Sequence, residues 1–132
     1  MLVAEFHDDK KDGPYKEYFL DGAISKEATY VNDLLEGVQK AYYPDGTMAS
    51  IENYKNGARE GLYQQWNEQG VLVFEAEYRE GKRHGKMNKY FEDGKPYLVQ
   101  TFINDELDGM KKSYDKEGNV VENYYESGKK LR

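Results

Sequence analysis

Gly37-Val38-Gln39-Lys40-Ala41-Tyr42-Tyr43-Pro44-Asp45-Gly46, followed by Glu52-Asn53-Tyr54-Lys55-Asn56-Gly57-Ala58-Arg59-Glu60-Gly61, decides how this chain folds. Each run ends in a turn signal, Asp-Gly in the first and Asn-Gly in the second. The opening glycine recurs at residues 13, 37, 61, 85 and 109, and the Asp-Gly glycine at 22, 46, 70, 94 and 118, so both ladders step by 24 residues. Gly57, Gly81 and Gly128 take a third place in the same unit, the last displaced by one residue. Glycine stands where the backbone turns or takes positive φ, so a fixed glycine period means a repeating backbone. The chain is an array.

Other residues keep the same period. The fifth residue after each ladder glycine is aromatic: Tyr18, Tyr42, Trp66, Tyr90 and Tyr114. After the first turn come Ile24, Met48, Leu72, Pro96 or Val120, then Tyr30, Tyr54, Tyr78, Phe102 or, in a shortened last unit, Tyr125. Leu72, Phe74, Ala76 and Tyr78 are apolar or aromatic residues separated by even numbers, which places them on one face of a strand. Glycine falls too often for useful helices. Leucine-rich repeats have a similar length, but their L-x-x-L-x-L strand is missing here.

Each unit therefore reads as strand, Asp-Gly turn, strand, second turn. Shifting back by 24 places Phe6 on Tyr30, so Leu2–His7 reads as the second strand of a half unit. The expectation is an all-β fold, a single elongated sheet of antiparallel hairpins. One domain spans 1–132, with a half repeat at 1–12 and repeats at 13–36, 37–60, 61–84, 85–108 and 109–132. That gives about eleven strands and, at roughly 4.8 Å each, a ribbon about 50 Å long. Its open edges are expected at Leu2–His7 and Val120–Glu126, with the charged tail Lys129-Lys130-Leu131-Arg132 guarding one end. A monomer or weak dimer is expected.

Composition bounds the function. Aromatic residues are 14% of the chain against 38% for all hydrophobic residues, so rings rather than aliphatic side chains must do the burying. The formal charge of −6 argues against nucleic acid or anionic membrane as a general partner. Cysteine is absent, which removes disulfides and thiol chemistry. The start does not read as a signal peptide and no apolar run reaches membrane length, so a cytoplasmic protein is expected.

These features resemble the MORN repeat family in its bacterial variant form, G-x-x-x-x-Y-y-x-x-G followed by a strand ending in Y and then N-G-k-x-x-G. Residues 37–46 and 52–61 carry the pattern most fully, and Gly81-Lys82-Arg83-His84-Gly85 has the G-K-x-H-G form of the wider family. Asp33 and Asp105 in place of the second-turn glycine, and Pro96 in a strand, depart from it. The resemblance implies a non-enzymatic interaction or scaffold module, in some members one that touches phospholipid. The bacterial variant is similar to antitoxin components of toxin–antitoxin or toxin–immunity modules. Arrays of this family also accompany plant phosphatidylinositol-phosphate kinases, but the repeats leave no room here for the catalytic domain.

Two surfaces are candidates. The column Tyr18, Tyr42, Trp66, Tyr90 and Tyr114 either grips a protein partner or covers the neighbouring turns as architecture, and Trp66 is its most distinctive member. The cluster Arg79, Lys82, Arg83, Lys86 and Lys89 is the alternative, a face for acidic phospholipid. Asn104-Asp105-Glu106-Leu107-Asp108-Gly109, followed by Asp115, imitates a calcium loop, yet Gly109 already belongs to the ladder. His84 takes a place held elsewhere by Glu36, Glu60 and Asp108. No catalytic residue, cofactor or metal site is expected.

Overall fold

The structure, a computed structural model, describes residues 1–131, and among these it contains strands and no helix. They are β1 (Leu2–His7), β2 (Lys10–Tyr18), β3 (Ile24–Val31), β4 (Leu34–Leu35), β5 (Gly37–Tyr42), β6 (Met48–Lys55) and β7 (Ala58–Arg59). Then follow β8 (Gly61–Trp66), β9 (Leu72–Arg79), β10 (Lys82–Tyr90), β11 (Pro96–Ile103), β12 (Glu106–Tyr114), β13 (Val120–Glu126) and β14 (Lys129–Leu131). All belong to one open antiparallel sheet in chain order, with β4 and β7 as short spurs on β3 and β6.

The expected strand total needs two corrections. At Glu36 and Glu60 the chain leaves the ladder, and one expected strand becomes a spur and a main strand in each place. The charged tail, moreover, is no loose guard. Residues 129–131 pair as β14 with Tyr124–Glu126, so among the described residues Val120–Asn123 is the part of β13 without an outer partner. Arg132 lies outside the described residues.

The two turns differ in kind. The second is the two-residue hairpin, with positive φ at both Asn56 (50°) and Gly57 (82°). Asn32-Asp33 and Asn104-Asp105 hold the same shape without glycine, so those departures from the family pattern leave the turn intact. The Asp-Gly turn is a three-residue loop. In the first unit Gly22 N–H donates to Phe19 O and Phe19 N–H to Ala23 O, and only the glycine has positive φ. The aspartate acts through its side chain, with Asp45 Oδ1 accepting Thr47 N–H at 2.9 Å.

A bulge follows each of the first four loops. Tyr18 faces Ile24 while Glu17 faces Lys26, which leaves Ser25 unpaired, and Ala49, Val73 and Tyr97 repeat this. In the last unit Tyr114 faces Val120 and Ser113 faces Val121 with no skip. The residue missing from the shortened unit is therefore the bulge residue, and Tyr125 faces Gly109 as Phe102 faces Gly85.

Burial is thin and one-sided. Tyr15, Ala28, Ala76, Met87 and Phe102 are the buried hydrophobic residues, with Phe74, Tyr78 and Leu107 packed beside them. Register explains the choice, because Tyr15 faces Ala28 and Tyr63 faces Ala76, a ring over a methyl on the same side of the sheet.

Candidate interaction surfaces

Alternation puts Tyr18, Tyr42, Trp66, Tyr90 and Tyr114 on the face opposite that core, each half-buried. Tyr42 Oη donates to Glu27 Oε2 at 2.6 Å, across the boundary between units. The carboxylate holds the phenol proton and pushes its pKa up to about 12. Tyr90 repeats the contact on Glu75 Oε1 at 2.8 Å, where Asn88 Nδ2 also donates at 3.0 Å. Burial first, then this bond, raises Tyr90, while the Asn88 amide leads in lowering Glu75. Ile51 stands in Glu27's place where the ring is Trp66. At Tyr42 and Tyr90 the ring braces one unit to the last.

The basic residues do not share a face. Arg83 lies on the core side, its Cζ 4.3 Å above the Phe102 ring and its Nε 3.1 Å from Asp105 Oδ1. Lys89, opposite Phe74 and Leu98, falls on that side too, whereas Lys86, opposite Thr101, falls on the column side. Arg79 and Lys82 face each other beside the turn at Glu80-Gly81. His84 Nδ1 accepts Asn104 N–H at 3.4 Å, the same bond that Glu36, Glu60 and Asp108 make to Asn56, Glu80 and Ser127. The carboxylates of the calcium-loop imitation serve separate partners, Asp105 taking Arg83 N–H, Asp108 Ser127 N–H and Asp115 Asn119 N–H.

The hairpin unit thus repeats in backbone, register and bonding. The MORN repeat variant matches residues 11–32, 35–56, 59–80 and 83–104, again at a step of 24. The chain belongs to the MORN repeat variant family. No curated protein matches it. Among solved structures it is similar to a chain in a crystal structure of a GtfA/B complex bound to UDP and GlcNAc. That match has 10% identity, a TM-score of 0.36 and 96% coverage of this chain, which spans 24% of that one. MORN arrays are in general non-catalytic modules that bind proteins or membranes.

Two features of these MORN units escape sequence reading. One is a row of cations lying on rings along the core face. Lys11 Nζ lies 4.9 Å from both the Tyr15 and Tyr30 rings, and Arg59 Cζ lies 5.3 Å from both Tyr63 and Tyr78. Its sequence signal is one column, Lys11, Leu35, Arg59, Arg83 and Leu107, legible only once the register is known. The other is an open recess of about 510 Å³ between the last two Asp-Gly-type loops, lined by Tyr90, Phe91, Glu92, Asp93, Lys95 and Lys116.

Proposed function

We propose that this chain is a non-catalytic protein-binding module that engages its partner, a bacterial toxin, through the face bearing Tyr18, Tyr42, Trp66, Tyr90 and Tyr114. The supporting observation lies at mid-array on that face. Val38 and Leu62 are 45% and 39% exposed, and Ile51 stands on the strand between them with Trp66 one row away. The row of Ile51 runs Glu27, Lys40, Ile51, Gln64, Glu75, so a polar border surrounds these apolar residues, a pattern that suits a partner with an apolar anchor and a polar rim. The toxin assignment rests on the resemblance of the bacterial variant to antitoxin components. A phospholipid surface is less well supported, because its five basic residues divide between two faces.

The test is affinity capture from the native organism with the wild-type chain and with Trp66→Ala. The expected result is one reproducible protein partner, encoded beside this gene, whose recovery falls at least about tenfold with the variant. Capture unchanged by Trp66→Ala removes the column face from the reading. Failure to recover a reproducible partner counts against the whole of it.

A further inference from the structure

Arg59 differs from the other cations of its column in what its outer edge meets. Arg83 spends its guanidinium on Asp105, with Nε 3.1 Å from Oδ1 and Nη2 3.3 Å from the backbone carbonyl. The residue that corresponds to Asp105 beside Arg59 is Gly81, whose N–H donates to Arg59 O as Asp105 N–H does to Arg83 O. Gly81 offers no carboxylate. Arg59 bonds instead through Nε to Glu52 Oε2 at 3.3 Å, and the Glu52 carboxylate also accepts the Tyr54 hydroxyl. The Tyr54 hydroxyl, itself bonded to Glu52, also lies against the Arg59 guanidinium, and among the described residues no partner from the following turn meets the outer edge as Asp105 meets that of Arg83.

This guanidinium is held but not used up. The rings of Tyr63 and Tyr78 stand 6.5 Å apart at 30° to each other, each with Arg59 Cζ 5.3 Å from its centre. The Glu52 side chain that fixes Nε is only 12% exposed, whereas that of Arg59 is 41% exposed. An arginine fixed in this way presents a planar fork that matches two carboxylate oxygens, with little rotational freedom left to lose. Glu52 balances its charge, which favours a singly charged ligand over a doubly charged phosphate.

We propose that Arg59, held against the Tyr63 and Tyr78 rings, is a seat for one carboxylate from an acidic side chain of a protein partner. The seat lies on the core face, apart from the aromatic column. It rests on the protein-binding reading only for the source of the carboxylate.

The probe is a blocked tripeptide with a central glutamate, titrated into the full 132-residue chain. NMR follows the Arg59 Nε–Hε pair and the ring protons of Tyr63 and Tyr78. Saturable shifts are expected at those three residues. Arg59→Lys, which keeps the charge but not the fork, is expected to weaken binding by about tenfold or more. Gly81→Asp is the second variant. Asp33 and Asp105 hold φ of 68° and 70° at that turn position, and a Cβ on Gly81 would meet only Ala58 Cβ at 3.7 Å, so the backbone accepts it. Its own carboxylate is expected to fill the fork and abolish the shifts. Wild-type shifts that never saturate, or a Gly81→Asp chain that titrates like wild type, overturn the seat. Inorganic phosphate saturating these resonances where the glutamate peptide does not overturns the choice of carboxylate. None of these outcomes depends on whether Trp66 captures a partner.

Discussion

The two rims of this sheet are joined in different ways, one by side chains that do not repeat and the other by bonds that recur in every unit. On the Asp-Gly rim each loop is capped from within, by Asp21, Asp45 or Asp93 accepting the N–H two residues on. Where that residue is Gln69 or Glu117, the acceptor moves to Asn67 or Asp115 at the start of the same loop. On the other rim the turns lean on the unit before. Gly57 N–H donates to Leu35 O and Gly81 N–H to Arg59 O, while Glu36 and Glu60 accept the N–H of Asn56 and Glu80. Bonds between the Asp-Gly loops come from side chains that do not repeat, Tyr43 Oη donating to Trp66 O at 2.6 Å and Asn67 Nδ2 to Glu92 O at 3.1 Å, so that rim varies unit by unit. The stitched rim must be kept, because each turn is half of a bond between units.

Glycine exchange gives the widest separation between the rims. Gly85 follows the stitched turn with φ of 115°, and a Cβ there would lie 1.9 Å from Glu77 Oε2 and 3.1 Å from Glu77 Cβ. Moving Glu77 aside gives up the bond that its Oε2 accepts from Lys86 N–H at 2.9 Å, and its Cβ must shift as well. Gly85→Ala is therefore expected to cost about 3 kcal/mol or more in urea unfolding. Gly46, on the capped rim with φ of 89°, has nothing within 4 Å of an added Cβ. Gly46→Ala is expected to cost about 1–2 kcal/mol, the backbone term alone. Equal losses would erase the distinction.

A smaller effect tests the stitching itself. Glu60→Ala removes the acceptor that lies 2.6 Å from Glu80 N–H and joins consecutive units. A loss of about 1 kcal/mol is expected, with faster amide exchange in β9 and β10 on both sides of the boundary. Exchange that quickens only at Glu80 would make the bond local, as the Asp45 cap is on the opposite rim.

Much of this was legible in the chain. The glycine ladders and the alternation of Leu72, Phe74, Ala76 and Tyr78 gave hairpins in one sheet, and Phe6 read against Tyr30 placed β1 at Leu2–His7. What stayed hidden depends on contacts between units. The exit of Glu36 and Glu60 from the ladder leaves no mark in composition, since Asp12 and Asp108 hold the same place inside unbroken strands. The swap between Asp93 and Asn67 as loop cap is visible in the residues, but only hydrogen bonding shows that the two do one job. The Arg59 seat needed register most of all. Glu52, Arg59, Tyr63 and Tyr78 meet only because β6, β7, β8 and β9 are aligned as they are.

Acid titration probes the rims with the least disturbance. Asp45 is held below the usual aspartate range first by the Thr47 hydroxyl and then by Thr47 N–H. Asp105 is held below it first by Arg83 N–H and then by the Arg83 side chain. A carboxyl group lowered by folding stabilises the fold above its unfolded pKa of 3.8, and that contribution is lost as pH falls through the lower folded value. Both caps should therefore hold at pH 5 and fail only below 3.8. Their footprints should differ. On protonation of Asp45, amide shifts are expected within residues 43–47, because its bonds stay inside one loop. On protonation of Asp105, the shift should appear 22 residues away at Arg83, whose N–H it accepts at 2.8 Å. If the Asp45 transition also moved the amides around Trp66, the Tyr43 hydroxyl bond would be carrying the state of the cap into the next unit, and the two rims would differ only in how regularly they are joined.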